Sequence, residues 1–136
     1  MKHPPATELL TSLTRFLRDE LLPTLSGARA FNLRVGINVV ELVRREIEQQ
    51  GAADEREHRR LAELLGSSAD LAAMRSELCE KIASGALTLD EPALRAHLRA
   101  TTIDRLAIDQ PTYSAYRAAI AGSDAAPASE TKQPED

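Results

Sequence analysis

The stretch Phe31–Ile47, reading FNLRVGINVVELVRREI, constrains the fold of this chain more than any other. Placed on a helix at about 100° per residue, Phe31, Leu33, Val35, Ile37, Val39, Val40, Leu42, Val43 and Ile47 cover well over half the circumference. Arg34, Glu41, Arg45 and Glu48 form the remaining polar strip. A helix that is apolar nearly all round needs neighbours on several sides. The stretch therefore predicts an all-α fold, a single bundle of five to six helices around a buried central helix at about 28–50. Asn32, Gly36 and Glu46 interrupt the apolar arc. A glycine inside a helix costs about 1 kcal/mol relative to alanine, and close approach of a neighbouring helix is the usual reason to keep one.

The flanking segments supply the neighbours. Pro4 and Pro5 suit a helix start, and Leu9, Leu10, Leu13, Phe16, Leu17 and Leu21 then form one stripe that Pro23 ends. Ser26 is a candidate cap for the central helix, and Gly51 is expected to terminate it. A third helix runs from Ala52 to Leu65, charged at first (DEREHRR) and apolar at Leu61, Leu64 and Leu65, with Gly66 as its stop. A fourth, from about Asp70 to Ser84, carries Leu71, Met74, Leu78 and Ile82, with Cys79 at the edge of that face. Asp90, Glu91 and Pro92 signal the start of a fifth, ending near Ile108. Pro111 opens a short sixth through Tyr113, Tyr116 and Ile120. Residues 1–121 thus form one helical bundle domain. Residues 122–136, GSDAAPASETKQPED, read as a disordered acidic tail, because they cannot bury enough apolar surface to order themselves.

Charge and composition exclude several functions. The tail carries −3 of the formal net charge of −4, leaving the rest of the chain near neutral. Such a domain lacks the basic footprint of phosphate-backbone binding, so no nucleic-acid partner is expected. No run approaches the roughly 20 apolar residues of a membrane helix, and MKHPPATELL lacks the pattern of a signal peptide. One cysteine allows no internal disulfide. These features together predict a cytoplasmic protein without membrane contact. His3, His58 and His97 have no partner at metal-ligand spacing, so no metal is expected, and the two helical histidines read as surface residues. No glycine-rich phosphate loop, GxSxG or HExxH occurs, and no cofactor or catalytic residue is assigned. Cys79 reads as a buried, unreactive thiol.

Four residues break the apolar pattern of their own helices: Glu20, Asn32, Glu46 and Arg105. A buried charge is costly unless paired and hydrogen-bonded, and the planar fork of arginine suits a carboxylate partner. The first reading is a buried ion-pair network that fixes helix register. The second is a pocket for a small polar or anionic ligand lined by Glu20, Asn32, Glu46, Arg105 and Tyr113. Catalysis by the two carboxylates is a third. Tyr113 and Tyr116, half of the aromatic residues, either clamp the last helix to the bundle or close a pocket over Arg105. Glu41 precedes Arg45 by four residues, the favourable order for a surface pair.

Three segments, HPPATELLTSLTRFLRDELLP, FNLRVGINVVELVRRE and LRATTIDRLAIDQPTYSAY, resemble a bacterial family of small all-helical proteins of unknown function. Its members are encoded beside kinases of the aminoglycoside-phosphotransferase type and beside acyl-CoA dehydrogenases. The resemblance spans Pro4 to Tyr116 and brings no active site. It implies a non-catalytic accessory or interaction protein of acyl-CoA metabolism, with a phosphotransferase-like kinase or an acyl-CoA dehydrogenase as partner. A small-ligand binder or enzyme using the Glu/Asn/Arg cluster is the alternative. The excess of apolar faces also predicts a homodimer.

Overall fold

Gly51 does not end a helix. In a computed structural model describing residues 2–124, with Asp124 described by its backbone alone, α2 (Gly27–Leu65) runs unbroken for 39 residues, about 58 Å at 1.5 Å per residue. A glycine stops a helix when its backbone turns left-handed. Gly66 does so at φ 63° and is the C-cap of α2, whereas Gly51 keeps an ordinary helical φ. The cost of an interior glycine is small against the packing on either side of it, and the Gln50 amide donates to Asp54 Oδ1 at 2.8 Å across that turn. The central and third helices expected from the sequence are therefore one element.

The other elements attach to this one. α1 (Ala6–Phe16) continues through a wider turn at Leu17–Leu21 and a tight one at Leu22–Thr24, then doubles back onto α2. α3 (Leu71–Ala83) starts at Asp70, whose carboxylate accepts the Ala73 N–H at 2.8 Å. α4 (Pro92–Asp109) has its proline in the first turn. Both α3 and α4 pack on α2, and α5 (Ser114–Asp124) packs on α4. The all-α class holds, with five α-helices and no strand among the described residues. α5 extends past the expected domain edge at 122, and the rest of the acidic tail, 125–136, lies outside the described residues. Among the described residues no helix is long and apolar enough to cross a membrane.

α2 buries opposite sides along its length. Its first half buries Ala30 and Ile37, beside α1 and its Thr14; its second half buries Ala53, Glu57 and Leu61 against α3 and α4. Ile37 and Ala53 are sixteen positions apart in sequence, which places them about 160° apart around the helix. The main core sits in the second half, where Leu61, Met74, Leu78 and Leu94 pack together under Leu64, Leu65, Leu87 and Leu98. The expected burial of the Phe31–Ile47 stretch on all sides therefore fails. Phe31 is 63% exposed, Val35 46%, Val39 56%, Val43 40% and Ile47 53%. α3 and α4 bury this side of α2 from Ala53 onward; before that, the end of α4 reaches back to Arg45 and the segment after it borders Val35 and Val39, and the five side chains stay exposed. Nor does a neighbour explain Gly36, where an added Cβ would meet nothing within 4 Å.

Candidate functional site

Between α2 and α4, with Arg75 of α3 at one end, lies a cleft of about 250 Å³ lined largely by charged side chains. Its floor follows from spacing on α2. Gln50, Asp54, Glu57 and Leu61 recur at helical intervals, so the row that forms the core at Leu61 becomes polar one turn earlier. Glu57 is only 8% exposed. Its carboxylate accepts from Arg75 Nε at 3.0 Å and Nη2 at 2.6 Å, a bidentate pair that offsets its burial. Arg75 also reaches Asp54 at 3.4 Å. On the facing wall, Asp104 accepts two bonds from Arg56, at 2.8 and 3.3 Å. It lies 3.8 Å from Arg60, which donates to the Thr101 hydroxyl at 3.1 Å. These pairs join α2 to α3 and to α4, and each draws a guanidinium toward a carboxylate of the chain itself.

Two of the five residues singled out in the sequence meet here. Glu46 and Arg105 both line the cleft. Neither belongs to a buried network: Glu46 is exposed, and the Arg105 side chain is 54% exposed. Arg105 Nε donates to Asp109 one turn along α4 at 2.7 Å, and Nη1 approaches Gln50 Oε1 at 3.5 Å. Glu20 is exposed in the wide turn after α1, and Asn32 is exposed near the start of α2. Tyr113, 48% exposed, does not close over Arg105. It lines a separate groove of about 630 Å³ with Val39, Leu42, Arg18 and Pro111. The helical wheels erred because α2 changes its buried side midway, and because a charge at the edge of an apolar stripe can reach solvent along its own stem.

The buried polar residues are others: Thr14, Glu57 and His97. Glu57 lies in the charged DEREHRR segment, and neither it nor its half-exposed partner Arg75 stands out in the sequence. His97, expected on the surface, is 3% exposed, and its Nδ1 is buried without a hydrogen-bond partner. His58 Nε2 lies 3.1 Å from the Ala69 carbonyl oxygen. Cys79, expected to be buried, is exposed. The surface pairing also shifts by one position. Arg44, not Arg45, bonds Glu41 at 2.8 Å and Glu48 at 2.9 Å, and its guanidinium holds the Glu41 carboxyl below its ordinary range. Arg45 Nε instead donates to the Ile108 carbonyl at 2.7 Å, tying the end of α4 to the middle of α2.

Burial holds the His97 imidazole below its ordinary 6.5; the Arg60 charge adds to the shift and the Glu57 carboxylate opposes it. As pH falls through about 6.5 the unfolded chain takes up this proton while the folded chain does not. Stability that is complete above that pH therefore declines below it, until the folded state is protonated too. Thermal melts between about pH 7 and pH 5 should show this decline in the native chain and a shallower one in His97→Gln, which cannot titrate. Equal slopes would show that His97 is not the group responsible.

The charge pairs are separable by substitution. Glu57→Ala should lower the unfolding free energy in urea by about 2 kcal/mol, the lower part of the range for hydrogen bonds to charged groups, because Arg75 is half exposed. Arg105→Ala should cost under about 1 kcal/mol, as an exposed pair within one helix does. A larger loss for Arg105 than for Glu57 would reverse this assignment.

The architecture defines an all-α protein in which short helices attach to one long helix, with a self-neutralising charged cleft beside its midpoint. Residues 23–113 match a family described as a domain of unknown function (DUF6285), and the chain belongs to that family. The match takes in α2, α3, α4 and the whole cleft, and leaves out α1 with Glu20. Comparison with curated proteins and with solved structures finds no match.

Proposed function

We propose that this is a non-catalytic interaction protein that works through apolar helix faces. The observation that carries the reading is the pair of faces the chain leaves exposed. One is the α2 row of Phe31, Val35, Val39, Val43 and Ile47; the other is Leu9, Leu13 and Phe16 of α1, 56%, 44% and 48% exposed. Contiguous apolar surface of this kind marks protein contacts. The cleft supports the same reading, since its arginines already engage the carboxylates around them. From the family resemblance, we take an acyl-CoA dehydrogenase or a phosphotransferase-like kinase as the partner, which gives the protein an accessory role in acyl-CoA metabolism. Immobilised protein is expected to retain one of these purified enzymes and to lose it in the double variant Leu13→Glu, Phe16→Glu. Retention of neither enzyme, with neither activity altered, would sink this reading.

A second reading rests on Glu46 and Arg105 at the mouth of the cleft. It seats a small polar or anionic ligand between them, beside Gln50. Thermal shift against a panel of small carboxylates and amines should then show stabilisation that Arg105→Ala removes. No shift across the panel counts against it.

A further inference from the structure

The exposed face of α2 is apolar at its centre, at Val35, Val39 and Val43, and polar toward its C-terminal end, at Glu46 and Gln50. Ala28, Asn32, Val35, Val39, Val43, Glu46 and Gln50 all lie within about 40° of Val39 around the helix, and their spacing in sequence is symmetric about it. If two such helices cross antiparallel on a twofold axis at Val39, Val39 faces Val39 and Val35 faces Val43. Asn32 then stands opposite Glu46, so its amide N–H can donate to the carboxylate, and Ala28 stands opposite Gln50. The apolar residues fall at the centre and the polar ones pair at the ends. An isologous contact requires a surface that complements itself, and apolar residues that meet at the centre with an amide against a carboxylate beyond them satisfy that requirement.

Two further observations fit the same occupant. α2 begins at Gly27, which in this register stands level with Gly51 of the other copy. From Ala53 onward the same side of α2 is buried against α3 and α4. The exposed part of the face, from Ala28 to Glu46, thus falls within the overlap of about 37 Å that this register gives, and its last turn, at Gln50, borders Arg105 of α4. Gly36 borders the strip with open space beside it, and its bare backbone lets a second helix come to the usual separation of about 8–10 Å. The exposed valines with Phe31 and Ile47 make a patch on the scale of the largest found on monomers, about 300–600 Å².

We propose that a second copy of this chain covers the face, in an antiparallel pair of α2 helices centred on Val39. The proposal rests on the reading of the apolar faces as protein-contact surfaces; it assigns the α2 face and leaves that of α1 to the enzyme partner. Sedimentation equilibrium of the full chain carrying Cys79→Ser should give twice the 14.8 kDa chain mass. Val39→Asp sets two like charges against each other on the axis and should return the single-chain mass. Val39 is exposed in one chain, so the circular dichroism spectrum should not change. In the same background, Val39→Cys with oxidised glutathione should cross-link to itself. Val35→Cys should not, but should cross-link when mixed with Val43→Cys. A single-chain mass for the native sequence, a folded Val39→Asp that keeps the double mass, or equal self-linking at positions 35 and 39 would each overturn the proposal. A single chain that still retains an enzyme overturns this pairing alone; a pair that retains neither enzyme supports the pairing and overturns the accessory role.

Discussion

Leu61→Ala is expected to lower the unfolding free energy by about 3–4 kcal/mol, within the usual range for a fully buried leucine. Leu61 is 0% exposed, and it stands where the three helices of the second half meet, against Met74, Leu78 and Leu94. The loss has two parts: the transfer free energy of the deleted carbons, and the cavity they leave among neighbours that are themselves held on separate helices. Few side chains are fully buried among the described residues. The loss is therefore a large share of a total stability that is about 5–15 kcal/mol for typical domains. Chemical denaturation followed by circular dichroism is the measurement. The matched control is Val39→Ala, which removes a side chain 56% exposed within one chain. At concentrations low enough to separate any pair, it should cost under about 1 kcal/mol. A similar loss at both positions would mean that the core does not lie where α2, α3 and α4 meet.

Gly51→Pro should destabilise by about 3 kcal/mol or more, whereas Gly51→Ala should stabilise by about 0.5–1 kcal/mol. Both follow from the continuity of α2. A proline there removes a hydrogen bond in mid-helix, and its ring strikes the carbonyl one turn back. The kink would separate the α1-binding half of α2 from the half that carries the core. An alanine fits, because a Cβ at Gly51 meets nothing within 4 Å and the backbone already has a helical φ. Opposite signs at one position are hard to obtain unless the helix is continuous through it. If Gly51 were a terminator with a left-handed backbone, alanine would destabilise.

The fold class was legible because apolar residues at helical spacing leave few alternatives. The stops at Gly66 and the start at Asp90–Pro92 were legible because capping is local chemistry. Gly51 was misread for the same reason. The residue permits a left-handed cap, but whether the chain takes it depends on what packs beyond the residue. Asn32 and Glu46 interrupt an apolar arc in the sequence, and both are exposed in the structure. Their meaning was not legible, since their place on the surface depends on which side of α2 the other helices choose. The Glu57–Arg75 pair and buried His97 had no local signature at all. Arg75 reaches Glu57 from another helix, and only docking buries Glu57 and His97.

By itself, the sequence determined that this chain is helical, where most of its helices start and stop, and that Phe31–Ile47 has more apolar surface than one neighbour can cover. Hydrophobic period and capping chemistry fix those properties within a few residues of each position. Tertiary structure alone decided that α2 is one helix rather than two, that it buries opposite sides in its two halves, and that Phe31, Val35, Val39, Val43 and Ile47 stay exposed. A helix cannot choose which of two apolar sides to bury; the choice belongs to the elements that dock on it, and here α1 takes one side while α3 and α4 bury the other from Ala53 onward.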